Sequence, residues 1–277
     1  MSVRLVAALF SFFLCIGTAL SQTTEAELKS RLVGKSLYLR GFWREDSLHF
    51  DSDGRLIGKS GVYSFTLCGV DVKKVHLGTD SLVLEGKRVG TKFKGNTPSR
   101  VVLLVGDQPP FNDEMLQITI DRPSDGDFSH ALAPVFADGL VELVPSLPPY
   151  WQRFAREGLL PGSSVTFTPG IASANGTATT VPVKKVGGEI KAPVLLKPSE
   201  PEFSYAARNL RYSGKTLVNL WVDANGIPSH LTVAKPAGLG LDEQALYSVQ
   251  QYRFKPATEN GQPVVVELNV EVNFEIY

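Results

Sequence analysis

The sequence predicts an α+β protein. An antiparallel, β-rich N-terminal domain with a short helical cap precedes a flexible linker and a C-terminal domain of two helices on a three-stranded antiparallel sheet. Three observations carry this. Short apolar runs recur between residues 36 and 120, separated by Gly, Asp-Ser and Asn-Thr-Pro clusters, as in a meander that closes into a barrel or sandwich. Two stripes of helical period frame a hairpin between residues 199 and 252. From Val266 onward, Val266, Leu268, Val270, Val272, Phe274 and Ile276 alternate with Glu267, Asn269, Glu271, Asn273 and Glu275, which is the two-residue period of a strand with one apolar face.

The chain of 277 residues has room for two modest domains. Its 28 Lys and Arg balance 28 Asp and Glu, so no long-range field draws nucleic acid or anionic lipid to the molecule as a whole. Residues 1–21 read as a signal peptide. Arg4 is the n-region, Leu5 to Ile16 the apolar core, and Ala19-Leu20-Ser21 the cleavage site. Retained, Leu5 to Leu20 would instead serve as a membrane anchor, although the run falls short of the roughly 20 apolar residues that span a bilayer. Cleavage leaves Cys68 as the single cysteine. The cores must then hold by packing, with Cys68 a buried small hydrophobe that has no Lys, Arg or His beside it in the chain.

Residues 25–126 form the predicted β-rich domain. Glu25 to Leu32 is a brief helix, followed by strand signals at Ser36–Trp43, Leu48–Phe50, Arg55–Ile57, Val62–Leu67, Val70–Val75, Ser81–Leu84, Arg88–Phe93, Val101–Val105 and Met115–Ile120. Asp51-Ser52-Asp53-Gly54 is a hairpin turn with Gly54 at positive φ. Residues 127–157 are a helical segment packed on that domain: Asp127 caps Phe128, Leu132, Val135 and Phe136, and Trp151, Phe154 and Ala155 mark a second short helix. Residues 158–188, rich in Pro, Gly, Ser and Thr, are the linker, with Val165 to Phe167 as one strand that could join the first domain.

Chemistry-bearing motifs fail on spacing. Gly54 and Gly58-Lys59-Ser60 lack the four intervening residues of a phosphate loop. Asp51 and Asp53 lack the distal glutamate of a calcium loop, and Asp121, Asp125 and Asp127 read as turn and cap residues. His49, His76, His130 and His230 stand apart from one another. The sequence predicts no catalytic residue, no metal and no cofactor.

In residues 189–277, Ser199-Glu200-Pro201-Glu202 has the form of a capping box, and Phe203, Ala206, Ala207 and Leu210 follow as a helical stripe. Thr216 to Val222 and Leu231 to Ala234 flank the turn Asp223-Ala224-Asn225-Gly226. Asp242 and Glu243 open a second helix, where acids favour the dipole, and Ala245, Leu246, Val249 and Tyr252 line its buried side. Pro256 ends it, and Gly261-Gln262-Pro263 leads into a closing strand from Val264 to Tyr277. At about 3.4 Å per residue such a strand exceeds 30 Å and outruns its neighbours.

This stretch resembles the C-terminal domain of the TonB energy-transducer family. The resemblance rests on Pro201, Phe203 and Ala206, on Gly214, on Val222-Asp223 with Gly226, and on Leu241-Asp242 with Ala245 and Leu246. Phe254-Lys255-Pro256-Ala257, Gly261 with Pro263-Val264, and Phe274 complete it. Ser204 departs from it, standing where the family usually has proline after an aromatic residue. The resemblance implies a non-enzymatic periplasmic domain that pairs the TonB box of an outer-membrane receptor with its last strand. The expected partner-binding edge is Val266, Glu267, Leu268, Asn269, Val270, Glu271, Val272, Asn273 and Phe274, where main-chain hydrogen bonds give affinity and alternate side chains give specificity. The expected function is capture of an extended peptide segment of an envelope or outer-membrane protein by an exported protein. The alternatives are a transducer for transmembrane transport, anchored in the inner membrane through residues 5–20, and an envelope protein that pairs with itself as a homodimer.

Overall fold

A computed structural model describes residues 23–61, 65–162, 164, 166–167 and 182–276. The expected signal peptide, Val62 to Ser64 of one expected strand, Val165, and most of the expected linker lie outside them. Among the described residues no helix is long and apolar enough to cross a membrane.

Thr24 caps helix α1 (Glu25–Leu32), accepting from the Glu27 N–H at 3.2 Å. Leu28 and Leu32 are its buried side. Strands β1 (Leu37–Leu39) and β2 (Ser47–Phe50) follow. The Asp51–Gly54 turn forms as expected: Asp51 Oδ1 accepts from the Asp53 and Arg55 N–H groups, and Gly54 takes φ 77°. Next come β3 (Cys68–Leu77), β4 (Ser81–Lys94), β5 (Thr97–Val102), the short pair β6 (Leu104–Val105) and β7 (Asn112–Asp113), and β8 (Met115–Asp121). The chain then passes through α2 (Ser129–Val135), β9 (Phe136–Asp138), α3 (Leu140–Leu143) and α4 (Pro149–Phe154).

The large sheet runs β2-β8-β4-β3-β1-β9, with β5 also on β4. It is antiparallel except at β2–β8, which pair in parallel, a correction to the all-antiparallel expectation. These two strands are far apart in sequence, and no turn signal records their direction. Ser81–Leu84 and Arg88–Phe93, expected as two strands, are one strand of 14 residues. Gly86 lies within it because a Cβ there would meet the Asp71 carbonyl oxygen at 2.5 Å. That glycine serves close approach of two strands, not chain reversal.

The C-terminal part contains β10 (Lys184–Lys185), β11 (Ile190–Lys191), β12 (Val194–Lys197), α5 (Tyr205–Asn209), β13 (Gly214–Val222), β14 (Pro228–Lys235) and α6 (Leu241–Gln250). It ends with β15 (Arg253–Lys255), β16 (Ala257–Glu259), β17 (Gln262–Val264) and β18 (Val266–Phe274). Its main sheet is β10-β18-β13-β14, and β11-β16-β17 and β12-β15 form small ribbons. In the hairpin turn Asp223 Oδ1 accepts from the Asn225 and Ile227 N–H groups, and Gly226 takes φ 79°.

Two expectations are corrected. Helix α5 starts at Tyr205, not after Ser199, and its cap is Ser204, whose hydroxyl accepts from the Ala207 N–H at 3.0 Å and donates to the Leu239 carbonyl. The closing run from Val264 also breaks at Val265. Gln262–Val264 pairs with β16 across a turn, and the strand proper is the nine residues Val266–Phe274.

One buried cluster joins Phe65, Val70, Leu84 and Leu103 of the N-terminal part to Ala206, Val218, Leu239 and Phe274 of the C-terminal part. A second joins Tyr38, Phe93, Trp151 and Phe154 to Val233 of β14. Main-chain bonds stitch the same seam: Leu239 N–H to Thr91 O at 2.8 Å, and Phe93 N–H to Ala237 O at 2.9 Å. Gly238 is required there, since a Cβ would lie 2.2 Å from the Thr91 carbonyl oxygen.

Candidate docking edge

The alternating run folds as its period dictates. Val266, Val272 and Phe274 are buried, Leu268 and Val270 pack on the same core, and Asn269, Glu271 and Asn273 are exposed. Beneath the apolar face lie Ala206 and Ala207 of α5 and Ala245 and Val249 of α6, and Phe203 meets Phe274 edge-on at 5.5 Å.

On one side β18 pairs with β13 along its whole length, from Val266 opposite Val222 to Phe274 opposite Gly214. On the other side β10 pairs in parallel with Val266 and Glu267, and the Lys184 N–H donates to Val265 O at 3.0 Å. Because a residue's N–H and C=O share one edge and successive residues alternate, the odd-numbered residues of β18 direct their peptide groups outward. Glu267 is already engaged by β10. The peptide groups of Asn269, Glu271 and Asn273 face no strand among the described residues. Of the nine expected edge residues, Leu268 to Phe274 face no further strand on that side among the described residues, and β10 covers Val266 and Glu267.

The polar face of this sheet is organised by α4, an arrangement that no sequence signal announced. Arg153 donates to Asn219 Oδ1 at 2.6 Å and to Glu267 Oε1 at 2.7 Å, and the Asn219 amide donates to Asn269 Oδ1 at 2.9 Å. The Arg153 hydrogen bond holds the Glu267 carboxyl below the usual range. Lys215 pairs with Glu271 at 2.9 Å. Beside Arg153 a cleft of about 380 Å³ is lined by Arg156, Trp221, His230 and Thr232, and Trp221 and His230 stack at 3.8 Å.

The two acids at the start of α6 do more than face the helix dipole. Asp242 is fully buried and Glu243 half-buried. Asp242 accepts from Thr216 Oγ1 at 2.7 Å and from the Ala237 and Gly238 N–H groups, each at 2.8 Å. Burial pushes its carboxyl up from 3.8 to about 7, and the neighbouring Glu243 charge adds to this. Glu243 Oε1 accepts from the Thr66 N–H at 3.0 Å, Thr66 Oγ1 at 2.7 Å and Trp151 Nε1 at 3.0 Å. Its Oε2 is buried with no partner, and burial raises this carboxyl too. Every side-chain partner of Glu243 thus comes from the N-terminal part.

The fold brings one residue from each of two rejected sets together, His49 and Asp121. Among the described residues no group of three or more His, Cys, Asp or Glu is placed to hold a metal. His49 pairs with Asp121 at 2.7 Å, and the Ser129 N–H donates to the Asp127 carboxylate at 2.9 Å. Cys68 is buried as expected, but Arg88, distant in sequence, stands 3.9 Å from its sulfur. Burial nonetheless pushes the thiol up to about 11, so it is not a thiolate at neutral pH.

The C-terminal part is thus a sheet backed by two helices, with one side of its last strand unpaired beyond Glu267 among the described residues. Residues 199–276 match the family model described as the Gram-negative bacterial TonB protein C-terminal. Over 78 residues the chain is 26% identical to Protein TonB of Vibrio cholerae serotype O1 (strain ATCC 39315 / El Tor Inaba N16961), covering 28% of this chain and 32% of that one. The chain thus spans about a third of the length of the curated relative that it matches. It carries a TonB C-terminal domain at residues 199–276.

Proposed function

We propose that this protein is a non-enzymatic periplasmic adaptor whose TonB C-terminal domain captures an extended segment of an envelope or outer-membrane protein by adding it to β18. One observation carries the reading: the outward N–H and C=O groups of Asn269, Glu271 and Asn273 form a row on the side of β18 away from β13 that faces no strand among the described residues. The incoming strand takes the place beside Leu268–Phe274, with β10 marking where it ends. Its side chains then meet Asn269, Glu271 and Asn273 on one face and Leu268, Val270 and Val272 on the other. The TonB box of a receptor is the expected partner.

Deleting β18 is a poor test, because Val266, Val272 and Phe274 are core residues. Photo-cross-linkers at positions 269, 271 and 273, with one in the Asp223–Gly226 turn as control, interrogate the edge instead. Cross-links from the three edge positions into one extended segment of an envelope protein are expected, with those from 269 and 273 lost in Glu271→Pro. Cross-links that form equally from the control turn, or survive the proline, would refute strand addition.

Self-pairing is the second reading, and the order of side chains along β18 permits one register for it. Two copies of β18 paired antiparallel about Val272 place Glu271 opposite Asn273 and Asn269 opposite Glu275, so no acid faces an acid. Sedimentation at rising concentration separates the two: a dimer lost in Glu271→Pro belongs to self-pairing, and a monomer throughout excludes it.

A further inference from the structure

Side chains from three elements decide what Asn269 offers on the outer side of β18. Arg153 of α4 donates through Nη1 to Asn219 Oδ1 at 2.6 Å. A guanidinium has donors and no acceptor, so Asn219 must turn its amide oxygen to Arg153 and its amide nitrogen away. That nitrogen donates to Asn269 Oδ1 at 2.9 Å and to the Leu268 carbonyl at 3.3 Å, two acceptors for its two hydrogens. Asn219 is 4% exposed and stands directly opposite Asn269 in the ladder, so this amide has no room to reverse without losing all three bonds. The orientation follows from a partner that can only donate.

Asn269 is thereby held by its oxygen. Oδ1 and Nδ2 lie on opposite sides of one planar amide, and with Oδ1 turned to β13 the Nδ2 group is left for the other side of the strand. Asn269 is exposed, and among the described residues its Nδ2 meets no acceptor. The next side chains on this face do not repeat the signal. The Glu271 carboxylate turns to Lys215 at 2.9 Å. Asn273 Nδ2 donates to Glu275 Oε1 at 2.5 Å, which leaves the Asn273 oxygen, not its nitrogen, for a neighbour.

Charge does not decide the matter around Asn269, because acids and cations offset one another there. Glu157 and Glu267 share Arg153, Lys185 adds its charge beside Glu267, and Glu271 pairs with Lys215. Hydrogen-bonding polarity is what remains to discriminate. A strand added to β18 sets one side chain directly opposite Asn269 on the same face, within reach of its Nδ2. An acceptor there completes the amide, whereas a Lys or Arg brings donors against a donor.

We infer that β18 selects its partner by polarity at one position: the residue added opposite Asn269 carries a hydrogen-bond acceptor, Asn, Gln, Asp, Ser or Thr, and Lys and Arg are rejected there. Arg153 is the positioning residue, acting through Asn219. This specificity rests on strand addition at β18, as proposed above.

The probe is a displayed library of short segments in which Val alternates with randomised residues, selected on the full chain, with a photo-cross-linker at position 271 to fix the register. Opposite Asn269, acceptors should outnumber Lys and Arg by about fivefold or more over the unselected library, at low and high salt alike. Arg153→Lys, which keeps a donor-only partner for Asn219, should keep the bias. Arg153→Met and Asn269→Ala should lose it while segments are still captured, with thermal melts confirming that each variant folds. Captured segments with no bias opposite Asn269, or with a bias that survives Asn269→Ala or vanishes in salt, overturn the inference and leave strand addition standing. Capture by the parent chain that is absent, or indifferent to Glu271→Pro, overturns both.

Discussion

Glu243 is the residue on which the two parts of the chain meet. Its one engaged oxygen satisfies the Thr66 amide, the Thr66 hydroxyl and the Trp151 indole, all deep in the seam. Removing an acceptor strands buried donors, at about 1–3 kcal/mol for each group left unsatisfied. Glu243→Ala should therefore lower stability by about 2–4 kcal/mol, read as a drop in the urea midpoint. Asp242 and Glu243 also set a pH dependence. Both carboxyls are raised in the folded chain, Asp242 from 3.8 to about 7. Above the ordinary carboxylate range the unfolded chain has lost protons that the folded chain still holds. This contribution is complete below about pH 4 and is lost as pH rises through about 7. The melting temperature should fall between pH 5 and pH 8, and Asp242→Ala, whatever its own cost, should flatten that slope. A slope of opposite sign, or one unchanged in the variant, contradicts the assignment.

At the scale of elements, local chemistry was legible and long-range pairing was not. Glu25–Leu32, the Asp51–Gly54 turn, the Asp223–Gly226 turn and the second C-terminal helix appear where cap, glycine and periodicity place them. The alternation in Val266–Phe274 fixed which side chains are buried. It carried no information on β10, which among the described residues contributes Lys184 and Lys185 to the edge. The capping-box pattern at Ser199 misled because Ser204, five residues later, has a partner in the Leu239 carbonyl that only the tertiary fold supplies. Arg153, distant from β18 in sequence, left no trace of its contact with Glu267. The open edge also makes a contrast within one strand. Val270→Pro removes an N–H directed at β13 and should cost about 3 kcal/mol or more. Glu271→Pro removes an outward N–H, which edge strands tolerate, and should melt closer to the parent chain. Equal losses would mean that both sides of β18 are engaged.

At the scale of the molecule, the TonB C-terminal domain is built into a larger body. Ala237, Gly238 and Leu239 lie against Thr91 and Phe93, Tyr205 and Asn209 bond the main chain at Gly106 and Leu104, and α4 lies on β14. The sequence reads residues 189–277 as a separate unit because these contacts join distant positions without any repeating pattern. Cores shared in this way unfold together. Calorimetry of residues 23–277 should give one transition, with calorimetric and van't Hoff enthalpies equal. Two resolved transitions would show that the seam is weak.

The central claim is that the outward face of β18 receives a strand, and residue-resolved hydrogen exchange with and without a captured peptide tests it most directly. In the free chain the amides of Leu268, Val270 and Val272 should already be slow and those of Asn269, Glu271 and Asn273 fast, because only the former face β13. Peptide binding should slow the three odd-numbered amides and leave the even-numbered ones unchanged. Bound peptide with Asn269, Glu271 and Asn273 still exchanging fast would contradict the account.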